Sequence, residues 1–122
     1  MNYDIYFRSW SFPEKRLVVI FQPHRYSRTR DLFNEFVSSL SKVDALILLN
    51  IYSANEAPIN TISSSTLADS IRRRSSIDPI VAKDIAEIIE IIPNISLEND
   101  VILTLGAGDV NKIPHQLKEH FR

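Results

Sequence analysis

The sequence has no cysteine among its 122 residues, which excludes disulfide bonds, thiolate zinc sites, iron–sulfur clusters and a cysteine nucleophile. No apolar run approaches the roughly 18 residues of a membrane-spanning helix. The N-terminus also lacks the apolar segment of a secretory signal. We therefore expect a cytoplasmic protein that has no membrane partner.

An excess of charge is absent as well, because 14 lysines and arginines face 15 aspartates and glutamates and the formal net charge is -1. Such a balance gives no overall attraction to nucleic acid or to an anionic membrane. We expect no nucleic acid partner, and any chemistry of basic groups must be local. The arginines cluster in two places, at Arg25–Arg30 and at Arg72–Arg74.

Several common motifs are missing. No G-x-x-x-x-G-K-[ST] segment occurs, so the chain is not expected to bind ATP alone. The glycines are limited to Gly106 and Gly108, and their G-A-G segment lacks the third glycine of a dinucleotide fingerprint, which makes it weak evidence for NAD. His24, His115 and His120 do not have the spacing of metal ligands, and we predict no metal site.

Short apolar runs alternate with helical patterns along the chain. Four runs have the length and flanks of buried strands: Leu17–Phe21, Ala45–Leu49, Pro79–Ala82 and Val101–Leu105. Helical patterns are predicted to begin near Asp31, at a Ser64 or Ser65 cap, at Asp84, and after Gly106–Asp109. This order predicts a small, Rossmann-like, doubly wound α/β domain with a mainly parallel sheet and helices on both faces.

We predict that this domain spans residues 17–122. Residues 1–16 are rich in aromatic side chains and have no clear period, so they form a lead-in that is poorly legible from sequence. Two interpretations stay open for the lead-in. It is either an amphipathic start that packs on the sheet or a remnant of truncation.

A candidate site follows if the strands take the Rossmann order 3-2-1-4, because the first and fourth strands are then neighbours at the point where open α/β sheets bind ligands. The loop Gln22–Arg28 and the loop Gly106–Asp109 would then face one crevice. Gly106 and Gly108 would allow a tight turn or close approach to a ligand there. Asp109 lies in the same loop.

Arg25, Arg28 and Arg30 are predicted to surround the N-terminus of a helix, where the dipole disfavours cations. This placement indicates a site for an anion, such as a carboxylate or phosphate, held by guanidinium groups and free backbone N–H groups. Arg30 has a second interpretation, which is a surface ion pair with Asp31 or Glu35.

Three neighbouring features have weaker functional interpretations. For His24, a role in orienting the loop is favoured over catalysis. Glu56 either orients Arg25 or Arg28 across the crevice or is an ordinary solvated glutamate. Arg72–Arg74 are interpreted as a solvated last turn of a helix, because cations there complement the helix dipole.

Three segments together resemble a known family. They are FQPHRYSRTRDL at Phe21–Leu32, IYSANEAP at Ile51–Pro58 and LGAGDVNK at Leu105–Lys112. From about Pro13 onward the chain resembles the C-terminal domain of the bacterial UDP-N-acetylmuramate:L-alanine ligases, which are ATP-dependent Mur ligases of peptidoglycan synthesis.

The resemblance implies a third domain that closes over a central ATPase domain and helps to position the incoming amino acid. It implies that Arg25 and Arg28 lie at the substrate end of the cleft, where they orient substrate by charge pairing rather than transfer protons. With the residues of the crevice, the candidate substrate-binding set is Arg25, Arg28, His24, Glu56, Gly106, Gly108 and Asp109, and none is expected to be catalytic.

The chain also departs from the family. The central domain with its phosphate loop and magnesium ligands, the UDP-binding domain and the DYGHHP segment do not occur in it. Asn50 stands where aspartate is common and Asn55 where glycine is common, although Asn55 can adopt a left-handed turn. We therefore expect a bacterial ligase fragment with no turnover of its own.

In such a fragment, ATP, Mg²⁺, UDP-N-acetylmuramate and L-alanine would be bound mainly by domains outside it, and the chain alone would bind no cofactor. The alternative is a free-standing, non-enzymatic α/β module that binds a small anion or a nucleotide at the same crevice.

Overall fold

The structure, a computed structural model, describes residues 15–95 and 100–106. Within these residues the elements are, in chain order, β1 (Leu17–Gln22), α1 (Tyr26–Asp31), α2 (Phe33–Leu40), β2 (Ala45–Leu49), α3 (Ser64–Arg74), β3 (Ile80–Ala82), α4 (Ile85–Ile95) and β4 (Val101–Gly106). The helix predicted after Gly106–Asp109 and residues 1–14 of the lead-in lie outside the described residues.

The four strands form one parallel sheet in the order β3-β2-β1-β4, which confirms the predicted order. In this order β1 lies between β2 and β4, with Ile20 opposite Ile47 on one side and Thr104 on the other. The carboxyl ends of the strands therefore meet at one edge of the sheet, with Gln22 opposite Gly106.

The side chains of β1 alternate between two apolar layers, so both faces of this strand are buried. Leu17, Val19 and Phe21 pack on one face against side chains of α2 and α3. Val18 and Ile20 pack on the other face against α4. Helices therefore cover both faces of the sheet, and the small doubly wound α/β architecture predicted from sequence is confirmed.

Helix boundaries differ from the prediction in two places. The cap of α3 is Ser63 rather than Ser64 or Ser65, because the Ser63 hydroxyl accepts from the Thr66 amide and the Thr66 hydroxyl accepts from the Ser63 amide, both at 3.0 Å. This is a capping box. Ser64 is buried and its hydroxyl donates to the Leu49 carbonyl. The predicted cap of α4 is confirmed, because the Asp84 carboxylate accepts from the Glu87 amide at 2.9 Å.

The helix predicted to begin near Asp31 begins earlier, at Tyr26, and Leu32 separates α1 from α2. Arg28 and Arg30 thus lie in the last turn of α1, where the dipole favours cations, and the dipole argument made for them from sequence is wrong. The periodicity missed α1 because Thr29, a polar residue, is its one buried residue. No helix of the described residues is long and apolar enough to cross a membrane.

Candidate functional site

Three strands bring their carboxyl ends together at one edge of the sheet. His24, after β1, forms a parallel bridge with Tyr52, after β2. On the other side of β1, Gln22 pairs with Gly106 at the end of β4. The loop that contains Arg25 therefore begins between the segment that follows β2 and the end of β4. Gly108 and Asp109 lie outside the described residues.

Gly106 has a backbone conformation that only glycine fits here. Its φ is +129°, and a Cβ at this position would lie 2.3 Å from the Gln22 carbonyl oxygen. That oxygen belongs to the backbone of β1, so it cannot rotate away as a side chain would. Close packing of two strand ends explains why this glycine is needed.

Arg25 has a strained backbone. It stands at the N-cap position of α1 with φ 71° and ψ 142°, a region that residues with a Cβ rarely occupy. Such a conformation costs about 1–3 kcal/mol and persists only where its surroundings fix it. Strain of this kind is concentrated at functional sites, so Arg25 is a stronger candidate than its residue type alone indicates.

Hydrogen bonds hold Arg25 on both sides of its α-carbon. Its N–H donates to the Tyr52 carbonyl at 2.7 Å. Its carbonyl accepts two bonds from Thr29, one from the amide at 3.1 Å and one from the hydroxyl at 2.7 Å. The Tyr52 amide donates to the Pro23 carbonyl at 2.9 Å, which ties the loop after β2 to the same turn. The path of the chain at Arg25 is thus fixed by other parts of the fold.

Glu56 binds the first turn of α1. Its carboxylate accepts from the Ser27 amide at 3.0 Å and from the Ser27 hydroxyl at 2.5 Å. The bond from the Ser27 hydroxyl has the largest effect and lowers the pKa of Glu56, and the bond from the Ser27 amide lowers it further. The charge of Arg25 acts in the same direction. Glu56 is therefore not simply solvated, and its bonds go to Ser27 rather than to an arginine.

This arrangement changes one part of the predicted anion site. The sequence predicts that guanidinium groups and free backbone N–H groups bind the anion. In the structure the Arg25 N–H binds the Tyr52 carbonyl and the Ser27 N–H binds Glu56. These two amides are therefore occupied, which leaves the guanidinium groups of the predicted anion site.

Arg25 and Arg28 differ from the other described arginines. Both are exposed, and neither side chain has a hydrogen bond or ion pair within residues 15–95 and 100–106. The other five all have side-chain partners: Arg16 with Asp100, Arg30 with Asp31, Arg72 with Asp69 and Asp78, Arg73 with Ser70, and Arg74 with Ser38. The pairing of Arg30 with Asp31 confirms its predicted surface contact.

Three further side chains lie at this edge of the sheet: those of His24, Tyr52 and Gln22. The ring of His24 stacks on that of Tyr52, with centroids 5.5 Å apart and planes at 14°, and Tyr52 is 46% exposed. This contact supports an orienting role for His24. Gln22 was not singled out from sequence, yet its Oε1 is buried and has no hydrogen-bond partner among the described residues, while its Nε2 donates to the Asn50 carbonyl at 3.2 Å.

A second concave region lies on the outer side of α2 and α3. It is an open groove of about 390 Å³ that Phe33, Ile62, Asp69 and Arg73 help to line. Its charged groups already have partners, because Asp69 pairs with Arg72 and Arg73 bonds to a serine of its own helix. The edge of the sheet that carries Arg25 and Arg28 is therefore the better candidate for a site.

Comparison with known proteins identifies relatives along most of the chain. The sequence model of the family described as "Mur ligase, glutamate ligase domain" matches residues 7–108. The chain is 59% identical over 111 residues to a UDP-N-acetylmuramate--L-alanine ligase of Vesicomyosocius okutanii, a match that covers 91% of the chain and 24% of the relative. Proteins of the same name from Methylococcus capsulatus and Neisseria meningitidis serogroup C are 53% and 45% identical over 109 residues. Each of these two matches covers 89% of the chain and 23% of the relative, so the chain spans about a quarter of the length of these proteins.

Proposed function

The chain belongs to the Mur ligase family whose model matches residues 7–108, and from this membership we propose that it acts as the C-terminal domain of a bacterial, cytoplasmic, ATP-dependent ligase. We assign the domain to residues 17–122, preceded by a lead-in of residues 1–16. The ligase joins L-alanine to UDP-N-acetylmuramate, in keeping with the names of the relatives. The domain positions substrate, and it does so as one part of a larger enzyme.

The proposed reaction has two steps. The γ-phosphoryl group of ATP moves to the lactyl carboxylate of UDP-N-acetylmuramate, which gives an acyl phosphate and ADP. The amine of alanine then attacks the acyl carbon, and an amide bond forms while the bond to phosphate breaks. Carboxylate or phosphate oxygens carry negative charge in both steps, and guanidinium groups stabilise and orient such oxygens.

One observation carries the proposal. Arg25 and Arg28 lie three residues apart, at and after the start of α1, and neither guanidinium group has a hydrogen bond or an ion pair in the described part of the chain. The bonds to Tyr52 and Thr29 fix the backbone from which Arg25 extends. A cation that extends from a fixed backbone helps to hold a bound anion in the correct orientation, which is the contribution expected of a positioning domain.

The proposal divides the ligand-binding roles within this domain. Arg25 and Arg28 contact the anionic group of substrate, and His24, Gly106, Gly108 and Asp109 line the crevice around it. Glu56 supports this set through Ser27. Residues 15–95 and 100–106 contain no group of three or more acidic or histidine side chains that could hold a metal ion. We assign ATP and Mg²⁺ to other parts of the ligase.

Binding of inorganic phosphate and of acetate to the 122-residue chain tests the anion site, with ¹⁵N NMR of the arginine Nε–H groups as the readout. Arg25→Ala and Arg28→Ala should each weaken binding by roughly tenfold or more, the value of a charged hydrogen bond. Arg73→Ala is the matched control, because Arg73 is also exposed but bonds to Ser70. Equal losses in all three variants would show nonspecific attraction to charge and would refute the site.

A second experiment tests whether the chain catalyses the reaction without the rest of the ligase. The 122-residue chain, incubated with ATP, Mg²⁺, UDP-N-acetylmuramate and L-alanine, should release no phosphate above the rate without protein. Substrate-dependent release would show that the chain catalyses the reaction by itself, and the proposal of a positioning domain would then be wrong.

A further inference from the structure

Thr29 is one of two buried polar residues among the described residues, and it is fully buried. Its hydroxyl donates to the Arg25 carbonyl at 2.7 Å. Threonine within a helix often bonds the carbonyl four residues earlier, so the bond itself is ordinary. The acceptor of this bond is unusual, because the carbonyl belongs to Arg25, which stands at the N-cap of α1 with a φ of 71°.

The bond bears on where the Arg25 side chain points. The direction of the Cα–Cβ bond depends on the backbone on both sides of the α-carbon. On the N-terminal side the Tyr52 carbonyl holds the Arg25 amide, and on the C-terminal side the amide and hydroxyl of Thr29 hold the Arg25 carbonyl. Without the hydroxyl, one of the two donors to that carbonyl is lost, and rotation to a relaxed backbone becomes easier.

We propose that Thr29 is a positioning residue for Arg25: its buried hydroxyl holds the strained backbone so that the guanidinium group faces the anion. This inference rests on the proposed anion site. Thr29 touches no substrate and acts through Arg25 alone. Its effect on binding should therefore disappear when the Arg25 side chain is removed.

The test compares two substitutions at this position in the 122-residue chain. Thr29→Val keeps the shape of the side chain but removes the hydroxyl, and Thr29→Ser keeps the hydroxyl. With inorganic phosphate as the probe, Thr29→Val should raise Kd by about 3- to 10-fold, the range of one neutral hydrogen bond, and Thr29→Ser should stay within about twofold of the parent. If valine prevents folding, Thr29→Ala removes the same hydroxyl without adding a methyl group to the core.

A spectroscopic readout follows the backbone directly. The amide and α hydrogens of a residue lie closest together at positive φ, so the parent chain should show a strong intraresidue NOE between them at Arg25. Thr29→Val should weaken this NOE, and Thr29→Ser should retain it. An unchanged NOE together with an unchanged Kd in the valine variant would overturn the inference.

A double-mutant cycle separates positioning from a merely structural role. In the Arg25→Ala background, Thr29→Val should leave the phosphate Kd unchanged, although it lowers thermal stability in both backgrounds. An equal fold-change in both backgrounds would refute the inference. Ser64→Ala is the matched control, because Ser64 is the other buried polar residue and its hydroxyl donates to Leu49 instead. This control should lower stability and leave Kd unchanged.

The cycle also distinguishes the two proposals. If Arg25→Ala leaves phosphate binding intact, the anion site itself is wrong. If Arg25→Ala weakens binding as expected but Thr29→Val has no effect on Kd, the anion site stands and the positioning role of Thr29 fails.

Discussion

Replacing Arg25 with glycine should stabilise the fold while removing anion binding. The conformation of Arg25, φ 71° and ψ 142°, costs about 1–3 kcal/mol for a residue with a Cβ. Glycine adopts it without this cost, but glycine is more flexible in the unfolded chain, which costs about 0.5–1 kcal/mol. The backbone bonds to Tyr52 and Thr29 remain possible in the variant. The free energy of unfolding should therefore rise by roughly 1 kcal/mol.

Arg25→Ala separates strain from charge in this experiment. Alanine keeps the Cβ and its strain, so its free energy of unfolding should lie within about 0.5 kcal/mol of the parent. Urea unfolding followed by circular dichroism measures the free energy of unfolding of both variants. In thermal unfolding, each 1 kcal/mol should correspond to a change of roughly 3–5 °C in Tm for a domain of this size. At an unstrained position the order would reverse, with glycine about 0.5–1 kcal/mol less stable than alanine. That reversed order would refute the strain at Arg25.

Three further substitutions test other contacts. Gly106→Ala brings a Cβ within 2.3 Å of the Gln22 carbonyl oxygen at a φ of +129°, so urea unfolding should show a loss of about 2 kcal/mol or more, and a loss below about 0.5 kcal/mol would contradict this packing. The lowered pKa of Glu56 stabilises the fold above its ordinary value of 4.5, and this contribution is lost as the pH falls through the folded pKa. Glu56→Gln should thus flatten the acid limb of stability against pH, and an unchanged limb would show that the bonds to Ser27 do not favour the charged form. Ser63→Ala should cost about 1 kcal/mol in thermal unfolding through loss of the α3 cap, whereas a neutral effect would place the cap elsewhere.

The sheet could be predicted from sequence because its strands are short, mainly apolar runs, and its central strands β1 and β2 are buried on both faces. The order of the strands was assumed from the Rossmann pattern, which the sheet follows, and Gly106 was identified because glycine is scarce in this chain. Positive φ at Asn55 was also anticipated, since asparagine tolerates a left-handed turn, and its φ is 69°.

The details of the site could not be read in the same way. The helix α1 has no apolar stripe, so its start at Tyr26 left no periodic signal. Arginine is not a residue type that favours positive φ, and no neighbouring residue in the sequence predicts a positive φ at Arg25. The bonds of Glu56 to Ser27 join residues 29 positions apart, and only the tertiary fold brings them together. The Thr29 hydroxyl bonds to the carbonyl of Arg25, and the strain of Arg25 could not be predicted from sequence.

Amide formation by a complete ligase that carries this sequence tests the positioning role of the domain most directly. Arg25→Ala and Arg28→Ala should each lower kcat/KM by about 10- to 100-fold, because each removes a charged hydrogen bond to the reacting anion. Arg73→Ala should stay within about twofold of the parent. Parent-like kcat/KM in both the Arg25 and Arg28 variants would contradict the claim that this domain positions an anionic substrate.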